Sequence, residues 1–158
     1  MSDCRIILVD DHTLFRGGLR GLLDRHEGFR VVGEAGSGEE LLERIGEWQA
    51  DVVFMDIAMP GMGGAEATQR LLALRPQWRV ITLSMFGDEH YYQRMVEAGA
   101  RGFLLKDSPF DEVVRAVETV HGGGTYFSEP LLGSLTGRMC SSERSAGADE
   151  PLSARETE

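Results

Sequence analysis

Five short apolar runs divide this chain at regular intervals, and four of them end on a side chain fit for chemistry. Arg5-Ile-Ile-Leu-Val9 runs into Asp10 and Asp11, and Val52-Val-Phe-Met55 into Asp56. Arg79-Val-Ile-Thr-Leu-Ser84 ends in a hydroxyl and Gly102-Phe-Leu-Leu-Lys106 in an amine, while Arg30-Val-Val-Gly-Glu-Ala35 is a weaker second run. Each is short, mostly apolar, β-branched or aromatic in part, and bounded by turn-forming residues, the signature of a buried strand. Helical periodicity fills the intervals. Strands separated by helices pair in parallel through right-handed crossovers, so the chain is read as an α/β doubly wound sheet of five strands and five helices, ending near His121.

The helical stretches carry their own signals. Leu14/Phe15, Leu19 and Leu22/Leu23 recur at i, i+4 and i+8, an amphipathic stripe that Gly28 closes. Ser37-Gly-Glu-Glu40 is a capping box opening a helix through Leu41, Leu42 and Ile45. Ala65 to Leu74 forms a third helix, stopped by Pro76. Asp88 to Ala98 is a weaker fourth, with Tyr91, Met95 and Ala98 inward and Gly99 as a left-handed terminus. Ser108-Pro109 supplies an N-cap and first-turn proline for a fifth helix with Phe110, Val113/Val114, Val117 and Val120 on its apolar face. Beyond it, Phe127-Ser-Glu-Pro130 reads as another helix start, with Ser128 as cap and Leu131, Leu135 and Met139 along the helix. From Cys140 to Glu150 there is almost nothing to bury, which is linker composition. Ser153 and Glu156 then form a second capping box at the end of the sequence.

Charge and cysteine usage narrow the functions. A net charge of −10 opposes binding of this segment to phosphate backbones or anionic membranes, so any nucleic-acid contact is expected from a different domain. Cys4 and Cys140 are far apart and lack zinc-type spacing, which fits a reducing cytoplasm. No apolar run approaches the ~20 residues that span a bilayer, and no signal-peptide pattern opens the chain; a soluble, unexported protein is expected.

In a parallel sheet Asp10, Asp11, Asp56, Ser84 and Lys106 share the carboxyl edge, where the crevices of such sheets bind ligands. Two carboxylates about 4 Å apart repel by roughly 4 kcal/mol at an effective dielectric of 20, so three together call for a cation. Oxygen donors suit Mg²⁺, which combines few protein ligands with substrate phosphate. The chemistry is then phosphoryl transfer. Asp56 attacks a phosphoryl group in line, Asp11 and Asp56 hold the metal, and Asp10 holds it directly or through water. Lys106 pairs with an equatorial phosphoryl oxygen and Ser84 hydrogen-bonds another. Lys106 is the only lysine in the chain, beside fifteen arginines.

The D-D-H after the first strand, M-D-I-A-M-P-G-M-G-G after the third, the L-S of the fourth and the G-F-L-L-K-D of the fifth resemble the receiver domain of bacterial response regulators. The closing L-S-A-R-E-T-E resembles the opening of a LuxR-type helix-turn-helix, so the likeness is to the NarL/FixJ family of two-component transcription factors. This resemblance implies a flavodoxin-like sheet in the order 2-1-3-4-5. It implies a receiver over residues 1–122, a helical extension and flexible linker over 123–150, and the start of a truncated DNA-binding domain over 151–158. Asp56 matches the phosphoacceptor, Asp10 and Asp11 the acid pocket, Ser84 the switch hydroxyl, Phe103 the switch aromatic and Lys106 the conserved-type lysine, with the backbone carbonyl of Ala58 as a third protein ligand of Mg²⁺. The implied partners are a sensor histidine kinase as phosphodonor and DNA through the missing domain; a homodimer suits paired half-sites. Such a protein is a phosphoacceptor that assists its own phosphorylation and dephosphorylation, not an enzyme acting on other substrates.

Three departures stand out. Ala58 replaces a frequent Asn beside the attacking water, Phe86 is bulky on the same trajectory, and Asp107 stands where other receivers carry proline. The first two imply slow hydrolysis of the aspartyl phosphate. In the switch so implied, Ser84 moves toward a bound phosphoryl oxygen, Phe103 turns into the space left, and the weak fourth helix shifts. Its exposed Glu89, His90, Tyr92 and Arg94 form the read-out surface. His12, His26, His90 and His121 are expected to face solvent without ligand roles. The alternative is a phosphorylation-independent interaction module on the same fold. A haloacid-dehalogenase-type phosphatase is disfavoured because its acid/base aspartate, two residues after the nucleophile, is here Ala58.

Overall fold

A computed structural model describes residues 3–57, 59, 61–85 and 92–127. They belong to one unit, Met1–Ser128; a second, Glu129–Glu158, lies outside them, and with it the expected linker and DNA-binding start.

Strands β1 (Cys4–Val9), β2 (Phe29–Ala35), β3 (Val52–Asp56), β4 (Arg79–Ser84), β5 (Gly102–Leu105) and β6 (Tyr126–Phe127) form one sheet in the order β2-β1-β3-β4-β5-β6. Every pairing is parallel. Helices α1 (Thr13–Arg25), α2 (Gly38–Arg44), α3 (Gly64–Leu74), α4 (Tyr92–Ala98) and α5 (Phe110–His121) alternate with the strands. Because both faces of the sheet are covered, β3 is buried along its whole length and reads as a continuous apolar run. Side chains alternate between faces, so Ile6, Leu8, Val52, Phe54, Ile81, Leu83 and Leu104 meet Leu19, Leu23, Val113 and Val117 in one cluster.

The doubly wound sheet matches expectation, with one strand more. After α5, Gly122, Gly123 and Gly124 donate backbone bonds to Glu118, Val120 and Thr119, and Tyr126 N then donates to Arg101 O at 3.0 Å. The sheet therefore runs past residue 122. Phe127 stacks on Phe103 at 5.0 Å, and the helix expected to follow the Ser128 cap lies outside the described residues. Two residues beside a glycine run show no period to read.

Other local readings shift slightly. The α1 stripe is narrower than expected: Leu19 and Leu23 are buried, whereas Leu14 is 92% and Leu22 43% exposed, because one residue of phase turns a side chain by about 100°. Ser37 Oγ caps α2 by accepting from Glu40 N at 3.0 Å, and Glu40 Oε1 accepts in return from Gly36 N at 2.8 Å. Pro109, not Ser108, is the residue before α5, and no side chain caps it. Gly99 has the expected positive φ.

The glycines after Asp56 position the site. Gly61 has φ +77°, which suits glycine in a tight turn, and a Cβ on Gly64 would lie 2.5 Å from the Asp56 carbonyl oxygen. The start of α3 is thereby allowed against the end of β3.

Candidate functional site

Register delivers the polar groups to one edge. Val9 pairs with Met55, so Asp10 follows β1 level with Asp56, and Ser84 pairs with Leu105, one residue before Lys106. Asp10 N donates to Ala35 O at 3.0 Å and Lys106 N to Ser84 O at 2.8 Å, which extends the ladder to the site itself.

There the side chains converge. Lys106 Nζ lies 2.8 Å from Asp10 Oδ2 and 3.4 Å from Asp56 Oδ2, joining the loops that follow β1, β3 and β5. Asp10 and Asp56 are 1% and 2% exposed, whereas Asp11 is open to solvent. A buried charge persists only when paired, so the ammonium is what this pocket requires. Its ammonium lies over the Phe15 ring, with Nζ 5.1 Å from the centroid. Behind the pocket, Arg16 donates to the Asp10 carbonyl oxygen and ion-pairs with Glu34 at 2.9 Å. Burial pushes the Glu34 carboxyl up, but hydrogen bonds from Arg20 and Arg16 outweigh it and leave the group below its usual range. It stays an anion that anchors Arg16.

Ser84 is fully buried, and its Oγ has no hydrogen-bond partner among the described residues. A buried hydroxyl left so costs about 1–3 kcal/mol, which a phosphoryl oxygen entering the site would recover. Phe103, also fully buried, is sandwiched: Phe127 stacks on it and Tyr92 meets it edge-on at 6.2 Å. Ala58, Phe86, Glu89, His90 and Tyr91 lie outside the described residues. Met95 is buried as expected, but Tyr92 is buried rather than exposed and so leaves the read-out surface. His26 also turns inward, stacking on Phe29 at 4.5 Å.

The residue overlooked in the sequence is His12. Its ring is 63% exposed, yet Nδ1 stands 3.1 Å from Asp10 Oδ1, 3.5 Å from Asp11 Oδ1 and 3.0 Å from Lys106 Nζ. The tripeptide D-D-H was visible; what sequence does not reveal is that His12 N donates to Asp10 Oδ1 at 2.8 Å, a tight turn that folds the third residue back over the first. Asp10, Asp11, His12 and Asp56 each offer a ligand atom within 4.8 Å of the others. Three carboxylates converging at that distance fit a hard divalent cation such as Mg²⁺, whose bonding prefers oxygen.

Comparison with known proteins agrees with this geometry. The profile of the response regulator receiver domain matches residues 6–118. Response regulator GacA of Pseudomonas viridiflava is 39% identical over 131 residues, covering 83% of this chain and 61% of that protein. Transcriptional regulatory protein MctR of Rhizobium johnstonii is 40% identical over 152 residues, covering 96% and 69%. The crystal structure of a LuxR-family two-component response regulator from Aurantimonas sp. SI85-9A1 superposes with TM-score 0.81 at 33% identity, over 88% of this chain and 99% of that one. The chain spans about six tenths of the length of several curated relatives it matches.

Proposed function

The chain belongs to the response regulator receiver domain family, and from that premise we propose that it takes a phosphoryl group from a sensor histidine kinase onto Asp56. The supporting observation is the salt-bridged pocket in which Lys106 Nζ lies 2.8 Å from Asp10 Oδ2 and 3.4 Å from Asp56 Oδ2. An Asp56 carboxylate oxygen forms the new bond to phosphorus as the bond to the donor's leaving group breaks. Lys106, which has three N–H donors and is already beside Asp56, neutralises an equatorial phosphoryl oxygen, and the Ser84 hydroxyl, without a partner among the described residues, donates to another. Asp10, Asp11 and Asp56, with the carbonyl of Ala58, would hold Mg²⁺, which when bound supplies charge shielding for the carboxylates and the phosphoryl group.

Turning Phe103 requires Tyr92 and Phe127 to repack, since both rings touch it. The switch therefore reaches α4 and β6 together. Its readout is regulation of transcription by a DNA-binding domain following the linker, in keeping with relatives such as MctR; that domain, a homodimer and a cytoplasmic setting are part of the same proposal. No helix among the described residues is long and apolar enough to cross a membrane.

Intact mass after incubation with acetyl phosphate and Mg²⁺ tests the reading. One added phosphoryl group is expected, absent from Asp56→Asn and from metal-free protein. No adduct on a folded chain would favour the phosphorylation-independent module.

A further inference from the structure

We propose that His12 is a nitrogen ligand of the divalent-cation site and biases it toward transition ions over Mg²⁺; the inference rests on reading Asp10, Asp11 and Asp56 as that site. His12 is the residue before α1, yet its side chain makes no capping bond, so the ring is not committed to the helix. It is turned instead onto the acids by the bond from its own backbone N–H to Asp10 Oδ1.

In the tautomer that carries its proton on Nε2, the ring presents a lone pair at Nδ1, which accepts from Lys106 Nζ at 3.0 Å. The same nitrogen stands 3.1 Å and 3.5 Å from oxygens of Asp10 and Asp11, which as carboxylates are also acceptors. In that tautomer Nδ1 and the two carboxylate oxygens are all acceptors, and a cation among them satisfies all three. Lys106 supplies part of that charge here, and when it pairs with a phosphoryl oxygen the three acceptors are left to the divalent ion. The separations suit this role: ligands adjacent on an octahedral ion with bonds of about 2.1 Å lie about 3.0 Å apart.

Replacing a water ligand by imidazole adds little for Mg²⁺, a hard ion that binds oxygen. For Mn²⁺, Co²⁺ and Ni²⁺ it adds an increasingly favourable bond along the Irving–Williams order. His12 thus determines cation preference, whereas the three acids determine that a cation binds.

The test uses the full, untagged chain. In the Mn²⁺ complex, electron spin-echo modulation from a directly bound imidazole ¹⁴N is expected, and it should vanish in His12→Asn. By calorimetry, His12→Asn should lower Ni²⁺ affinity about tenfold or more while changing Mg²⁺ affinity by less than about threefold. No nitrogen modulation, or modulation surviving in His12→Asn because the ion sits elsewhere, for instance on the Cys4, Asp51 and His121 group, would overturn the proposal. An equal loss of both affinities would overturn it too. Its failure is separable from that of the parent reading: if Mg²⁺ binding is insensitive to Asp56→Asn, the acid pocket itself is wrong, whereas Mg²⁺ binding that needs Asp56 and ignores His12 sinks only the role of the imidazole.

Discussion

The two ends of the sheet each pair carboxylate with a basic side chain, and they do so in opposite ways. At the amino edge Asp51 meets one guanidinium that saturates it. Arg5 N donates to Oδ2 at 2.8 Å, Nε to the same oxygen at 3.2 Å and Nη2 to Oδ1 at 3.2 Å. Burial pushes the Asp51 carboxyl up, but these bonds outweigh it and hold the group below its ordinary value. The neighbouring Cys4 thiol is pushed up to about 12 by burial and by Asp51, so it remains a neutral packing group. At the carboxyl edge Asp10 and Asp56 share the Lys106 ammonium, Asp11 lies in the same cluster, and the Ser84 hydroxyl has no hydrogen-bond partner among the described residues. Charge at the first edge is balanced within the fold; at the second the carboxylates outnumber the Lys106 ammonium among the described residues, a surplus that an added cation would offset.

Substitutions at the two edges should therefore diverge. The largest effect is expected from Asp56→Asn, which eliminates the phosphoryl adduct seen by mass. Lys106→Ala should retain the acceptor but slow acetyl-phosphate-driven phosphorylation by about 10²-fold or more, the usual loss when a charge-stabilising donor is removed. Asp51→Asn should leave that rate unchanged and cost about 1 kcal/mol in urea unfolding, an estimate discounted for solvent screening of a half-exposed pair. Because the folded-state Asp51 pKa is depressed, its contribution is present above the unfolded carboxyl range and fades as pH falls through the folded value, so wild type and Asp51→Asn should converge in stability below about pH 4. The smallest effect is on lifetime: Ala58→Asn should shorten the half-life of the aspartyl phosphate by roughly several-fold, read from loss of adduct after donor removal, since an amide beside the attacking water can hydrogen-bond to it and orient it for attack. A faster rate in Asp51→Asn, or an unchanged rate in Lys106→Ala, would erase the distinction between the edges.

How much of this was legible in the sequence follows from periodicity. Strands β1, β3, β4 and β5 declared themselves because they are buried on both faces, and their terminal Asp10, Asp56, Ser84 and Lys106 followed from parallel pairing alone. Features decided by a single residue of phase were lost. Nothing local in the Tyr91-Tyr92 pair says that Tyr92 turns inward beside Phe103. Leu14 looks as apolar as Phe15 and yet is exposed. Strand β6 is two residues long and takes its place from packing of Phe127 on Phe103, a contact between positions far apart in the chain. His12 was missed because its place depends on a backbone turn made by Asp10, not on spacing.

The most direct test of the surplus is urea unfolding of wild type, Asp56→Asn and Asp51→Asn, each with and without Mg²⁺. Without metal, Asp56→Asn should be more stable than wild type by about 1–2 kcal/mol, because one of the repelling carboxylates is gone. Mg²⁺ should stabilise wild type, and Asp51→Asn by the same increment, but have little effect on Asp56→Asn. If Asp56→Asn is instead destabilised like Asp51→Asn and Mg²⁺ shifts none of the curves, Asp56 is a balanced structural acid and the account of the carboxyl edge is wrong.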